Sequence, residues 1–452
     1  MKSINPFTNE LIREFPEHSP QQVEDLIRRV GSVFKEWKMT PYDQRASCLG
    51  NAASVLRKRK GELAKLITLE MGKIIRESEA EIEKCALACE FYSDHAEELL
   101  RDEILVSDAR RSFVTFQPLG VILGVMPWNF PFWQVFRFLA PTLMAGNTVL
   151  LKHASNVPGC ALAIEEVIAE AGFPVDVFRT LIIPSSLVES VIAHPLVAGV
   201  SLTGSELAGS MVASQAGKHI KKSLLELGGS DPFIVLEDAD PEGAVQTAVR
   251  SRMINQGQSC IAAKRFIVVK EILPVFERLL SDAFKALKAG DPTDPSTDVG
   301  PMARKDLVEE LDRQVSGSIR LGARLVLGGK VMDRPGNFYE PTILTDVIKG
   351  MPAYEEETFG PLAAIITAKD EEDAIRIAND SKFGLGGSVW TKDSARGERI
   401  ARQVETGAMF VNGLVKSDPR LPFGGIKNSG YGRELSGYGI KEFVNIKTIW
   451  VK

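Results

Sequence analysis

From residue 120 onwards the chain alternates short apolar runs with helical stretches, and this rhythm restricts its fold more than any other feature. Residues 120–126 form an uncharged strand-like run, followed by a turn and a helix from about Phe132. Residues 147–152 read as a buried strand, 159–171 as a helix, 178–183 and 199–203 as strands, and 206–216 as a helix. Apolar strands joined by helices in this way build a parallel, doubly wound sheet. A second series begins after Gly229: residues 233–236, a helix around Val245, residues 266–269, a long helix to Leu287, and later 363–367 and 387–391. The prediction is two doubly wound α/β domains, which suits a chain of 452 residues.

Other segments frame this core. Residues 20–100 place apolar side chains at three-to-four spacing (Val23, Leu26, Ile27 and Val30, then Leu56, Leu63, Leu66 and Ile67), so they read as helices. Short alternating segments between Ile104 and Phe116 predict a hairpin outside the helical region. Residues 441–450 end as an extended segment with nothing following to cover it, an edge suited to pairing with another subunit.

Composition removes several classes of partner. The net charge is -5, and the densest basic run, Arg57–Lys60, lies beside Leu56 and Leu63 as the wet face of a helix, so nucleic acid is not expected. Residues 118–136 carry no charge and are long enough to span a bilayer, but Pro127, Asn129, Pro131 and Gln134 would leave backbone groups unpaired in lipid. No membrane partner is expected. The five cysteines are odd in number and scattered, in a chain that opens without an apolar export segment, which predicts reduced thiols in a cytoplasmic enzyme. Cys85 and Cys89, one helical turn apart, lack the further ligands of a tetrahedral set, so a packed helix face is expected there and no metal.

Cys260 closes Asn255-Gln256-Gly257-Gln258-Ser259-Cys260 between a helical stretch and a strand, a junction suited to a nucleophile. Upstream, Glu226 ends an apolar run in Leu225-Glu226-Leu227-Gly228-Gly229, where burial would raise its pKa towards that of a useful base. Thiol and tuned carboxylate suggest covalent acyl chemistry. The usual Gly-x-Gly-x-x-Gly dinucleotide turn is absent. Thr203-Gly204-Ser205 follows a strand and opens a helix instead, offering backbone N–H groups and the Ser205 hydroxyl to a pyrophosphate, although any strand-to-helix turn needs small residues.

Taken together, these segments resemble the NAD(P)-dependent aldehyde dehydrogenase superfamily over essentially the whole chain. The motifs are Pro127-Trp128-Asn129-Phe130-Pro131, Leu225-Glu226-Leu227-Gly228-Gly229-Ser230, Gly257-Gln258-Ser259-Cys260, Glu356-Glu357-Thr358-Phe359-Gly360-Pro361 and Pro422-Phe423-Gly424-Gly425-Ile426-Lys427-Asn428-Ser429-Gly430. The short N-terminus, Lys152-His153-Ala154-Ser155-Asn156 and residues 227–233 look most like bacterial succinate-semialdehyde dehydrogenases. The resemblance implies an aldehyde-dehydrogenase-like α/β fold: residues 1–100 and 119–228 as the dinucleotide-binding domain, 229–427 as the catalytic domain, and 101–118 with 428–452 as a small β oligomerisation element of a homodimer or homotetramer.

It also implies roles. The Cys260 thiolate attacks an aldehyde, the Asn129 amide and the Cys260 N–H donate to the resulting alkoxide, a hydride passes to nicotinamide, and Glu226 deprotonates the water that hydrolyses the thioester. Each residue has a plainer reading: Asn129 as a turn residue, Glu226 as a salt-bridge partner, Cys260 as a buried small hydrophobe. Cofactor contacts fall to Trp128, Lys152, Ser155, Thr203, Gly204, Ser205, Glu357 and Phe359. Ser155 stands where NAD-preferring relatives often carry Glu, and a hydroxyl tolerates a 2′-phosphate that a carboxylate repels, so NADP is expected with NAD as the alternative, unless Ser155 merely starts the next helix. Arg137, two turns after Asn129, with Ser417 and Gln134, would meet a substrate carboxylate, or Arg137 would pair with an acidic neighbour. Ile254 occupies the place of the second arginine found in some relatives. The expected reaction is succinate semialdehyde to succinate. The alternatives are another aldehyde such as glutarate semialdehyde, coenzyme A in place of water, against which Glu226 argues, or a non-catalytic scaffold.

Overall fold

The computed structural model describes every residue from Met1 to Lys452. Five parallel strands, β1 (Val121–Met126), β2 (Thr148–His153), β3 (Phe178–Thr180), β4 (Val197–Thr203) and β5 (Lys222–Glu226), lie side by side in the order β5-β4-β1-β2-β3. Successive residues of a strand face opposite sides. Ile122, Val149 and Leu151 accordingly enter one core, with the N-terminal helices, while Leu123, Leu150, Val200 and Leu202 enter another. Both faces of the central strands are covered, which is why β1 and the middle of β2 read as apolar runs. The strand expected at 178–183 stops at Thr180, because Ile182 exchanges hydrogen bonds with His18 of the N-terminal arm instead.

Residues 20–100 fold as four helices, Pro20–Trp37, Tyr42–Lys58, Lys60–Met71 and α1 (Ile75–Leu99). The first opens with a capping box between Ser19 and Gln22. On α1, Cys85 and Cys89 are wholly buried in the core. The uncharged stretch resolves into β1, a turn and α2 (Trp133–Met144), every residue of which is buried. No helix is long and apolar enough to cross a membrane. Arg137 is the single charge on α2, and a charge there requires an internal partner. After β4 comes α3 (Glu206–Lys218), and after the first sheet α4 (Pro241–Met253), whose N-cap Asp240 accepts from the Glu242 and Gly243 N–H groups.

The second sheet contains β6 (Asp231–Val235), β7 (Ala263–Val269), β8 (Thr342–Thr345), β9 (Leu362–Ala368), β10 (Gly386–Trp390) and β11 (Ala408–Val411), parallel in the order β8-β9-β7-β6-β10-β11. Arg324–Leu327 adds an antiparallel edge to β8. That edge strand, β8 and β11 carry no expectation from the sequence, since four residues hold too little periodicity to read.

A third sheet joins Glu103–Ile104, Arg111–Pro118 and Val444–Val451, all antiparallel. The outer edge of Val444–Val451 is unpaired, with Ile446 and Trp450 exposed. Residues 428–452 contribute strands to two different sheets. Gly430–Tyr431 pairs with β5 in the first sheet, and only Val444–Val451 belongs to the third. Gly430 has φ +110° and a Cβ on it would lie 2.0 Å from the Leu225 carbonyl oxygen, so glycine permits this close approach.

Candidate active site

The loop that carries Cys260 follows α4. Asn255, Gln256 and Gly257 take φ of 50°, 54° and 78°, three consecutive residues in the left-handed region. Buried hydrogen bonds hold them there: Asn255 N donates to Glu77 (2.7 Å), Asn255 Nδ2 donates to the Asn129 carbonyl (2.7 Å), and the Arg252 guanidinium donates to the carbonyls of Gly257, Ala263 and Thr358. A Cβ on Gly257 would lie 2.1 Å from the Gly360 carbonyl oxygen. This reversal delivers Cys260 to a cavity of about 500 Å³, which Asn129 and Gln134 also line. Behind the cysteine, the buried Lys264 ammonium donates to the carbonyls of Ser259 (2.9 Å), Cys260 (2.8 Å) and Ala262 (3.3 Å), fixing the loop.

Asn129 stands in the turn after β1. Its Nδ2 donates to the Gln258 carbonyl at 3.0 Å, which uses one N–H and leaves the second for an oxygen in the cavity. His153 steadies this turn: its Nδ1 accepts from Ala154 N (2.9 Å), so Nε2 carries the proton and donates to the Pro131 carbonyl (2.8 Å). Burial pulls His153 down to about 4, keeping it neutral. Burial pushes the Cys260 thiol up to about 12, against the opposing pull of Arg137 and Lys264, so the resting group is the thiol. Glu226 ends β5 with neither carboxyl oxygen partnered. Its carboxyl is packed so closely against Gly424 that a Cβ there would lie 2.6 Å from Oε1, while the next residues, Leu227 and Gly228, line the cavity. Burial raises the Glu226 pKa well above the carboxylate range; Arg137 lowers it and Glu434 raises it.

Thr203, Gly204 and Ser205 form another wall of the same cavity, with Glu357, Phe359 and Trp128 opposite. The Trp128 and Phe359 rings meet edge-on at 5.8 Å. Glu357 accepts the Gly229 N–H at 3.0 Å, and a Cβ on Gly228 would lie 2.3 Å from its other oxygen. Ser205 caps α3: its Oγ accepts from Ala208 N (3.3 Å) and its carbonyl from Gly209 N (2.9 Å). The Glu206 and Leu207 N–H groups of the first turn are left for an outside acceptor. Beyond lies a second cavity of about 450 Å³, lined by Lys152, Val125, Leu202 and Ile192. Lys152 Nζ donates to Ser185 Oγ at 3.3 Å, and burial lowers its pKa. Ser155 is exposed in the turn after β2; Val157 holds the N-cap position of the next helix, so Ser155 does not cap it. Two cavities flanking a helix N-terminus at the carboxyl ends of parallel strands fit a dinucleotide.

Residues 1–449 match the model of the Aldehyde dehydrogenase family. The chain belongs to that family. A probable succinate-semialdehyde dehydrogenase [NADP(+)] of Synechocystis is 52% identical over 449 residues, covering 99% of each chain. A succinate-semialdehyde dehydrogenase [NADP(+)] of Mycobacterium avium is 49% identical over 99% of this chain and 96% of its own. Among solved structures, succinic semialdehyde dehydrogenase from Streptococcus pyogenes in complex with NADP+ superposes with a TM-score of 0.98 at 40% identity, covering 100% of this chain and 99% of that one.

In this aldehyde dehydrogenase the structure gathers Cys260, Asn129, Gln134, Trp128, Thr203, Gly204, Ser205, Glu357 and Phe359 around one cavity, and places Lys152 on the adjoining one. Arg137 is not among the residues that line this cavity. Its guanidinium is 1% exposed, ion-paired with the buried Glu434, hydrogen-bonded to Thr203 Oγ1 (3.3 Å) and stacked 4.6 Å from the Phe423 ring. The ion pair is the second of the two readings the sequence left open for this residue. Ser417 is likewise engaged, accepting from Lys84 Nζ at 2.7 Å. Three residues that support the candidate site escaped the sequence reading. Lys264 left a signal, the first of two cations opening an otherwise apolar strand; His153 and Glu434 left none, because their partners lie 22 and 297 residues away.

Proposed function

We propose that the enzyme oxidises succinate semialdehyde to succinate with NADP+. The observation that carries this reading is the cavity shared by Cys260, the spare Asn129 N–H and the Thr203–Ser205 turn, in a chain about half identical to enzymes named for that activity. Bound dinucleotide supplies the hydride acceptor. The remaining work belongs to the protein. Cys260 gives up its proton and attacks the aldehyde carbon; the Asn129 amide and the Cys260 backbone N–H donate to the oxyanion where charge develops. Glu226, with its raised pKa, removes a proton from the water that releases the acid from sulfur. Thr203, Gly204 and Ser205 would hold the pyrophosphate, Glu357 the nicotinamide ribose, and Trp128 and Phe359 the nicotinamide. Lys152 and Ser155 would serve the adenosine ribose, where a hydroxyl in place of a carboxylate would favour a 2′-phosphate.

The five cysteines are all free, in keeping with a cytoplasmic setting. The open edge of Val444–Val451, with Ile446 and Trp450 exposed, supports assembly into a homodimer or homotetramer, which light scattering on a sizing column reads directly. The function is tested by reduced-nicotinamide absorbance with succinate semialdehyde and NADP+, beside NAD+. Turnover that survives Cys260→Ala, or none with either cofactor, overturns it.

A further inference from the structure

Two carboxylates stand one helical turn apart on α1, and each holds one of the two segments that meet beside Cys260. Glu81 Oε1 accepts the Phe132 and Trp133 N–H groups (2.8 and 3.0 Å) at the start of α2, and so closes the turn that carries Asn129. Glu77 Oε2 accepts Asn255 N (2.7 Å), where the left-handed loop to Cys260 begins. The two segments also bind each other directly. Asn255 Nδ2 donates to the Asn129 carbonyl (2.7 Å), and Asn129 Nδ2 donates to the Gln258 carbonyl (3.0 Å).

Lys73, two residues before α1, fixes Glu81 in turn. Its ammonium is wholly buried, ion-paired with Glu81 Oε2 and 3.7 Å from the centre of the Phe130 ring, next to Asn129. Each Glu81 oxygen therefore has its own partners, two backbone donors on one and a cation on the other. A buried network satisfied in this way is rigid. Positions i and i+4 of a helix lie on one face at about 5–6 Å, so α1 sets the distance between Glu77 and Glu81, and with it the distance between the Asn129 turn and the Cys260 loop. None of the three side chains lines the Cys260 cavity. Their influence on an oxyanion there would be geometric, and geometry is what such a donor depends on: a misplacement near 1 Å costs about 100-fold in rate.

We propose that Glu77, Glu81 and Lys73 are positioning residues, with α1 acting as a strut that holds the Asn129 amide and the Cys260 backbone N–H at the separation one oxyanion requires. This rests on the reading of those two groups as the oxyanion donors.

The test changes the acceptor at residue 81 while keeping buried charge balanced. Lys73→Met/Glu81→Gln deletes both charges and keeps an oxygen for the Phe132 and Trp133 N–H groups; Lys73→Met/Glu81→Leu deletes the oxygen as well. First-turnover formation of reduced cofactor reads the step in which the oxyanion forms, and iodoacetamide alkylation reads the Cys260 thiol with no oxyanion. In Lys73→Met/Glu81→Leu the first turnover should slow about 10- to 100-fold, with alkylation and the KM for NADP+ within about twofold of wild type. Lys73→Met/Glu81→Gln should recover most of that loss. Glu77→Met, on a less buried side chain, should slow the first turnover by a similar factor and Glu77→Gln by less, which carries the test should the variants at 73 and 81 not fold. Asn129→Ala gives the reference: it should lose about 100- to 1,000-fold, and adding Lys73→Met/Glu81→Leu to it should cost less than about threefold more, because the positioned amide is gone. An unchanged first turnover, an equal loss in alkylation, a glutamine variant as slow as its apolar counterpart, or an equal cost with and without Asn129 overturns the positioning role while the proposed reaction stands. Wild-type turnover in Asn129→Ala overturns the oxyanion reading, and this proposal with it.

Discussion

Replacing Arg137 by methionine separates the two roles open to that residue. Arg137 is 1% exposed and its partner Glu434 is 3% exposed, so the pair is sealed from water, and Glu226 lies within its field. Arg137→Met leaves Glu434 buried with no cation, and breaking a buried pair in this way costs about 3–5 kcal/mol. At roughly 2–4 °C per kcal/mol for a domain-sized unit, the thermal midpoint should fall by about 6–20 °C. Glu434→Gln strands the arginine instead and should cost a similar amount. The double variant removes both charges, and its loss should be smaller than the sum of the two by about 2–3 kcal/mol. Thermal and urea unfolding of the four proteins give the cycle, and additive losses would refute the ion pair. The same variant should move the pH–rate profile to higher pH, since the cation that favours the ionised forms of Glu226 and Cys260 is gone.

Four further outcomes follow from the site. Glu226→Gln should leave a first-turnover burst of reduced cofactor and slow steady turnover about 100- to 10,000-fold; loss of the burst as well would give Glu226 another role. Because burial raises both Glu226 and Cys260, and each acts in its deprotonated form, wild-type turnover should climb with pH through neutrality into the alkaline range, and a rate falling over that range would contradict this assignment. Gly257→Ala places a methyl 2.1 Å from the Gly360 carbonyl oxygen at φ +78°, so the loop must shift, and a displacement near 1 Å should cost about 100-fold in kcat; wild-type kcat would show that the loop tolerates it. Ser155→Glu should weaken NADP+ far more than NAD+, measured as kcat/KM with each cofactor, and equal effects would place Ser155 away from the ribose.

The fold was legible where one physical cause acts along the chain. Strands sealed on both faces, such as Val121–Met126, must be apolar at consecutive positions, and that pattern is visible without coordinates. Four-residue strands such as Thr342–Thr345 owe their existence to neighbours in the sheet, and so left no trace. Gly430–Tyr431 was assigned to the third sheet by its position in the chain, whereas its register against Leu225 and Glu226 is a contact across two hundred residues.

The candidate site divides along the same line. Sequence alone singled out the groups proposed to do the chemistry: Cys260, Glu226 and Asn129 lie in short motifs whose residues are neighbours in the chain. Tertiary structure decided what each buried charge meets. Spacing left Arg137 open to a substrate or to an acid, and Glu434, almost three hundred residues later, pairs with it; Glu77 and Glu81, two of many helical acids, reach the Cys260 loop and the start of α2. A charge's availability depends on what burial has placed within a few ångströms of it, because electrostatic interactions strengthen as water is excluded. Distance along the chain carries no record of that.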